Sequence, residues 1–258
     1  MIPGFSRDAL IHEILIAPQG ALLPLPDTRI TERPGFFQVV TPQLTRGGLN
    51  EIICGALPEE DADAFLDRAI RPYDEHGLAF RWTLPPGPTQ PADLAERLML
   101  RGLTPSESLG LARLIGDDLP PDAPSVTARE IGLDAVDDFT RVMAEGWEMD
   151  PGPLDDMHRR MLADPRRNHR LFVAYDGSVA AGAAGYILLD RSAYLLGAVV
   201  LPAHRGRGLY RALVRARMMH ALAQGVPLAT SFARAETSAP ILRGLGFEPV
   251  CTLRVFSR

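Results

Sequence analysis

Hydrophobic and polar positions repeat along the chain with two distinct periods, and the C-terminal half shows them most clearly. Ser125–Ile131 alternates as a half-buried strand, and helical spacing follows over Leu133–Trp147 and Leu154–Ala163. Asp134, Asp137 and Asp138 sit near the positive end of the first of these helices. Leu171–Tyr175, Val179–Leu189 and Tyr194–Leu201 read as strands. Turns at Asp176-Gly177 and around Asp190-Arg191 join them as an antiparallel meander. A long helix is predicted from about Gly208 to Gln224, with Leu209, Ala212, Leu213, Ala216, Met219 and Ala223 as its apolar stripe. A strand over Leu228–Phe232, a short helix over Ser238–Leu245 and a strand over Val250–Phe256 complete the order β-α-α-β-β-β-α-β-α-β.

The N-terminal half carries a partial version of the same order. Phe36–Val40, Asn50–Ala56, Ala79–Leu84 and Ser108–Ile115 read as strands, with helices over Glu59–His76 and Pro91–Arg101. LMLRGLTP (Leu98–Pro105) also matches ILRGLGFEP (Ile241–Pro249) where a helix ends and a strand begins. The Pro- and Asp-rich stretch from Gly116 to Pro124 reads as a linker. The expectation is a degenerate first copy over residues 1–120 and a complete second copy over 121–258.

Composition narrows the chemistry. All 27 basic residues are arginine and none is lysine, which the codon bias of a G+C-rich genome explains. Lysine-dependent phosphate loops and Schiff-base mechanisms are therefore excluded. Two cysteines, Cys54 and Cys251, lie in apolar strand-like contexts, which argues against a disulfide framework or a zinc site and fits a reducing cytoplasm. Asp8 and Glu13 interrupt the N-terminal stretch where a signal peptide needs an apolar run. No apolar run approaches the ~20 residues of a membrane span. A net charge of −5 argues against a general nucleic-acid binder. The charge is unevenly spread, however: residues 1–124 hold 10 Arg against 18 acids, and residues 201–258 hold 9 Arg against 2 acids. The basic end is suited to an anion.

The stretch from Ala198 to Leu213 holds the most chemistry. A buried strand ends near Pro202, a loop follows with Gly206 and Gly208, and a helix starts at once. Glycines let backbone N–H groups converge, and the helix start adds partial positive charge, so a pyrophosphate is bound without lysine. Arg205, Arg207 and Arg211 supply charge, and Arg215 continues the row at helical spacing. A dinucleotide fold would need glycine at Arg211 and a parallel β-α-β unit upstream, whereas the strands here form an antiparallel meander.

The strand–loop–helix with its R-x-x-G run resembles motif A of the GCN5-related N-acetyltransferases (GNAT), and ILRGLGFEP resembles motif B. The resemblance covers about residues 125–258. It implies a mixed α/β (α+β), largely antiparallel GNAT-type sheet with helices on both faces, beside a partial GNAT-like N-terminal domain. In that family the strand before the loop splays from its neighbour and holds the pantetheine arm and thioester carbonyl. Those positions are Ala198, Val199 and Val200 here. The resemblance places the pyrophosphate on the amides of Gly206, Arg207, Gly208, Leu209, Tyr210 and Arg211. Tyr210 departs from the Gly or Ala usual at its position, and its ring is expected to shield the helix start. At the equivalent N-terminal corner, Glu59, Glu60 and Asp61 are expected in the first helical turn, where they would repel a phosphate. One cofactor per chain is expected.

The family's usual acid, a tyrosine on the motif B helix, is replaced by Leu242. Ser238 is a candidate hydrogen-bond donor or simply a helix N-cap. Glu145, beside Trp147, is a candidate base or an ordinary exposed glutamate, and Glu236 is a second with the same alternatives. His204 reads as a solvated surface histidine, His220 as a packing or helix-dipole group, and Cys251 as inert packing. Trp147 and Trp82 either wall an acceptor pocket or belong to the core. The leading expectation is an acetyl-CoA-dependent N-acetyltransferase, cytoplasmic, acting on an amine of unknown identity, with no metal, nucleic-acid or membrane partner and a monomeric or homodimeric state. The missing tyrosine leaves a non-catalytic acyl-CoA sensor as the alternative.

Overall fold

The computed structural model describes residues 2–22, 24–46, 49–58, 61–116, 118 and 124–258. Most of the expected linker, with Glu59 and Glu60, lies outside them. In chain order the elements are α1 (Arg7–Leu15), β1 (Arg29–Arg33), β2 (Phe36–Val40), β3 (Glu51–Cys54), α2 (Ala62–Glu75), β4 (Arg81–Leu84) and α3 (Leu94–Leu100). Then come β5 (Thr104–Leu114), β6 (Val126–Glu130), α4 (Val136–Trp147), α5 (Pro151–Ala163), β7 (His169–Asp176), β8 (Val179–Leu188) and β9 (Ala193–Val200). The chain ends with α6 (Leu209–Ala223), β10 (Leu228–Arg234), α7 (Ser238–Gly244) and β11 (Glu248–Ser257). Helix α1 and strand β1 have no counterpart in the sequence expectation. Helix α1 has almost no amphipathic stripe and is started by Ser6, whose hydroxyl accepts from Ala9 N–H. Every residue of β1 is exposed, so no burial pattern marks it.

Two compact units form, and each is discontinuous in sequence. The first comprises Met1–Leu23 with Leu109–Val250, and the second Pro24–Ser108 with Cys251–Arg258. The boundaries fall inside β5 and β11, so each half of the sequence contributes its last strand to the other half's unit.

In the first unit the strand order is β5-β10-β9-β8-β7-β6. The meander from β6 to β9 is antiparallel, and β10 lies parallel to β9. Strand alternation sends side chains to two cores. Phe172 and Ala174 pack with α6 and α7, whereas Leu171 and Val173 pack with α4 and α5. Helices thus cover both faces. Helix α5 begins on Asp150, whose carboxylate accepts from Gly152 N–H, with Pro151 at the first helical position. Two histidines are buried on the α4/α5 side. His158 meets Thr140 Oγ1 through Nδ1 at 2.8 Å, and burial lowers its pKa to about 4. His169 is likewise lowered to about 4 by burial, and its Nδ1 has no partner among the described residues.

In the second unit the order is β1-β2-β3-β4-β11. Strands β1 to β3 are antiparallel, β4 is parallel to β3, and β11 is antiparallel to β4. Trp82 is fully buried here and donates to Cys54 C=O at 2.9 Å, so it is core rather than a pocket wall. The mixed parallel and antiparallel order repeats the end of the first unit, where β9, α6 and β10 follow a meander.

The echo noticed in the sequence is one backbone device used twice. In α3, Gly102 N–H bonds Met99 C=O and Leu103 N–H bonds Leu98 C=O, with Gly102 at φ 80°. In α7, Gly246 N–H bonds Arg243 C=O and Phe247 N–H bonds Leu242 C=O, with Gly246 at φ 82°. This is the Schellman ending, in which glycine takes the left-handed turn and a hydrophobic pair closes it. Leu98 pairs with Leu103 in one core, Leu242 with Phe247 in the other. Leu242 therefore has a packing task of its own. The two copies differ in their surroundings, because a β-carbon on Gly246 would lie 2.9 Å from Arg113 Nη1, while nothing lies within 4 Å at Gly102.

Two stability predictions follow from these contacts. Gly102→Ala should cost about 1 kcal/mol through the left-handed φ alone, and Gly246→Ala about 2–3 kcal/mol because Arg113 must also shift. Urea unfolding of both variants checks the ranking. The buried histidines predict acid sensitivity: the unfolded chain takes up protons as pH falls below about 6.5, whereas the folded chain does so only near pH 4. Stability should therefore fall across that window, and His169→Leu, which sacrifices no hydrogen bond of Nδ1, should flatten the decline.

Candidate functional site

Strand β9 changes partners halfway along its length. Its pairing with β10 covers only Ala193–Leu195 against Ala229–Ser231. On its other edge the register with β8 shifts between Ala183↔Val199 and Gly185↔Leu196, so Gly197 and Ala198 together face Ala184. Two residues opposite one is a β-bulge, and Gly197 at φ 50° absorbs the bend. Beyond Leu195 the strand parts from β10, leaving the backbone of Ala198, Val199 and Val200 without ladder partners on that side. Ser231 Oγ donates to Leu195 C=O at 3.1 Å where the ladder ends.

Beneath the bulge lies a fully buried guanidinium. Arg217 of α6 is 1% exposed, and no carboxylate bonds it among the described residues. Nε donates to Leu213 C=O at 3.0 Å, and Nη1 to Gly185 C=O at 2.8 Å and Leu196 C=O at 3.4 Å. Burial lowers its pKa to about 10, so it stays cationic at neutral pH. Gly185 and Leu196 are the register pair adjoining the bulge, so the arginine ties both sides of the distortion to the helix. This burial also corrects the expected α6 stripe. Leu209, Ala212 and Leu213 face the core as expected, but Val214, Arg217, Met218 and Ala221 complete it, while Met219 is 39% exposed. A charged residue at a core position of the helix was the one signal in the sequence, and apolar periodicity passes over it.

The end of α4 is pressed against the opened strand. A β-carbon on Gly146 would lie 2.2 Å from Val199 Cγ2, and one on Gly197 would meet Met143 Cε at 3.6 Å. Only glycine at 146 allows this approach. Trp147 follows, half-buried, with the Arg234 guanidinium 5.6 Å from its ring centroid. The helix stops at Glu148, which takes the left-handed conformation at φ 53°.

The loop after β9 is anchored from the β7–β8 turn. Asp176 Oδ2 accepts from His204 Nδ1 at 2.9 Å and from Arg207 at 2.7 Å, and the His204 and Arg207 bonds hold its carboxyl below the ordinary range. Arg205 Nε donates to Val200 C=O at 3.2 Å. Arg207 and Arg205 are therefore engaged in shaping the loop, and His204 is an anchor rather than a solvated histidine. Gly206 (φ 77°) and Gly208 (φ 93°) make the turn, and no atom lies within 4 Å of a β-carbon placed on Gly206. Gly208 is the N-cap of α6 without a side-chain cap. Among the described residues the first helical N–H with an acceptor is that of Ala212, on Gly208 C=O. Amides of Gly206, Arg207, Gly208, Leu209, Tyr210 and Arg211 thus gather at an open helix start with its positive dipole. The Tyr210 ring turns inward against the α6 core instead of shielding that start, and burial pushes its hydroxyl pKa up.

The remaining candidates are dispersed. Ser238 is the first residue of α7, and Thr237 before it is the N-cap. Glu145 lines a cavity of about 480 Å³ between α4 and α5 and lies 3.9 Å from Arg141. Glu236 is exposed after β10. His220 lies between Tyr186 Oη at 2.6 Å and Glu130 Oε2 at 3.0 Å, a buried-to-surface relay on the far turns of α6. Leu242 is 2% exposed.

Against known families, residues 133–247 match the sequence model of the acetyltransferase (GNAT) family. The match marks a GNAT domain at residues 133–247, a little under half of the chain. The GNAT fold is also what solved structures share with this chain. A GCN5-related N-acetyltransferase from Kribbella flavida is 18% identical with a TM-score of 0.64, over 99% of this chain and 96% of that one. A conserved protein of unknown function from Staphylococcus epidermidis is 13% identical with a TM-score of 0.63, over 92% and 95%. A tandem GNAT protein from the clavulanic acid biosynthesis pathway is 15% identical with a TM-score of 0.57, over 92% and 84%. At these identities the likeness is one of fold. No curated protein matches the chain.

The bulge makes Arg217 a testable keystone of the GNAT domain. Arg217→Met should destabilise the protein by about 3 kcal/mol, because buried carbonyls lose their donors. Amide exchange over Gly197–Val199 should quicken with it, and Arg217→Lys should recover part of both losses.

Proposed function

We propose that the protein is an acyl-CoA-dependent N-acetyltransferase, with acetyl-CoA as donor and an amine as acceptor. The observation that carries this reading is the pairing of two features in one unit, the opened β9 edge and the uncapped α6 start immediately after it. Their donors suit the two ends of one extended ligand. The amides from Gly206 to Arg211 suit a pyrophosphate, and the backbone of Ala198 to Val200, unpaired with β10 and with its Val200 C=O taken by Arg205, suits an amide-bearing arm. The open space at Gly206 leaves room for close approach of a phosphate.

Acetyl-CoA, when bound, supplies an activated thioester; the acceptor nitrogen forms the new C–N bond as the C–S bond breaks. The amine gives up one proton, and the departing thiolate takes one. A strand N–H of the β9 edge polarises the thioester carbonyl, which a fixed donor does at no reorganisation cost. Arg217 holds that edge in place from behind. Among the described groups, Glu145 and Ser238 remain the candidate proton acceptor and donor, with water relaying where they do not reach.

The second unit is read as a degenerate GNAT-like copy without such a site. Its strand β3 is continued by Gly55 to Leu57, whose backbone is already paired: Gln90 N–H bonds Gly55 C=O at 2.9 Å, and Leu57 N–H bonds Gln90 C=O at 2.6 Å. The opening seen beside β9 is therefore closed by the chain itself. Of the acids expected at this corner, Asp61 is the N-cap of α2 and pairs with Arg68 at 2.7 Å.

Leu242, buried where the family resemblance puts a tyrosine, favours a second reading in which the chain binds acyl-CoA without turnover. Thiol release from acetyl-CoA with a panel of amines, beside calorimetry with CoA, separates the two. Binding with turnover supports the enzyme, binding alone supports the sensor, and no binding sinks both. Gly208→Asp should abolish CoA binding by placing a carboxylate at the amide cluster, and unchanged affinity would refute the site.

A further inference from the structure

We propose that the acceptor is an aliphatic amine that carries an aromatic ring and a carboxylate, as an aromatic amino acid does, seated against Trp147 and Arg234; this rests on the acyl-transfer reading above. The face of the sheet beside the β9 opening supplies the argument. Alternation puts Tyr194 and Leu196 of β9 on the same face as Thr230, Phe232 and Arg234 of β10, since Tyr194 pairs with Thr230 in register. Helix α1 covers one side of this face, where Thr230 Oγ1 meets Glu13 C=O. Helix α4 covers the other, where Gly146 touches Val199. Between them Tyr194, Leu196, Phe232 and Trp147 remain half-buried, leaving an apolar floor with three aromatic rings.

The polar groups at this floor are donors. Arg234 is exposed, and its side chain makes no ion pair or hydrogen bond among the described residues. Its guanidinium is held over Trp147 by the ring, which orients its N–H edge without neutralising it. The indole N–H of Trp147 is itself buried with no partner among the described residues, an unusual state for a buried donor. A carboxylate pairs with the exposed guanidinium, and it reaches the indole N–H, which is closed to solvent, only if the Trp147 ring turns. Glu13, on the α1 side of the floor, does not compete for Arg234, because it is buried and accepts from Ser192 Oγ at 2.6 Å. Because Gly146 touches Val199, an acceptor on Trp147 lies one residue from the backbone that would hold the thioester.

The test compares matched amines by thiol release from acetyl-CoA: L-tryptophan against tryptamine, L-tyrosine against tyramine, with spermidine as a polycation. The carboxylate-bearing member of each pair should have the higher kcat/KM by about tenfold or more, and spermidine should be the poorest. Arg234→Gln, a surface change, should erase that preference while calorimetric affinity for CoA stays within about threefold of the parent. Trp147→Phe should lower it in part. Equal or better turnover of tryptamine, tyramine or spermidine overturns the inference, as does a preference that survives Arg234→Gln. CoA binding with no turnover of any of these amines overturns it while sparing the cofactor site. Loss of CoA binding by the parent protein overturns the acyl-transfer reading instead, and this inference with it.

Discussion

A single cation, sealed beneath a sheet and bonded to three backbone carbonyls, sets the geometry of the first unit. Arg217 spends its guanidinium on Leu213, Gly185 and Leu196. Burying such a charge costs several kcal/mol, and the cost is met only while all of those acceptors stay in position. Two of those acceptors, Gly185 and Leu196, are the register pair beside the bulge at Gly197 and Ala198, and β9 parts from β10 at the same point.

Once β9 is bent, the rest of the site is arranged around missing β-carbons and occupied charges. Gly146 lets α4 lie on Val199, and Gly206 and Gly208 let the chain turn into α6 with its amides uncovered. The arginines that frame this loop are mostly committed: Arg207 to Asp176 and Arg205 to Val200 C=O. The loop is thus rigidified by cations while the anion-binding character stays with the backbone. That division of labour needs guanidinium forks rather than ammonium groups, and the absence of lysine from the chain is compatible with it.

Much of this was legible in the sequence, and the exceptions have physical causes. The meander, the loop and the helix–strand corners carry strong period-two or glycine signals, and their elements match within a few residues. Helix α1 was illegible because its buried residues, Glu13 among them, do not form an apolar stripe. The face of α6 reads about one residue out of phase in the sequence because the charged Arg217 occupies one of its fully buried positions and breaks the apolar stripe. Trp82 and Trp147 look alike in sequence, yet one finds a carbonyl and the other does not. Such distinctions arise from long-range placement. Pairing of Asp176 with the loop, and closure of β3 by Gln90, are of the same kind.

The exchange of last strands between the sequence halves has a bearing on how the chain is made. Strand β11, which pairs with β4 through Arg254↔Leu84 and Phe256↔Trp82, is separated from it in sequence by the main segment of the first unit, Leu109–Val250. The second unit, although built mainly from Pro24–Ser108, has a sheet edge that stays unsatisfied until Cys251–Arg258 has been made. Its folding is therefore governed by contacts of very long sequence separation, which slow the search and expose strand edges meanwhile. Vectorial, domain-by-domain folding is closed to this chain, and its two halves are one folding problem rather than two.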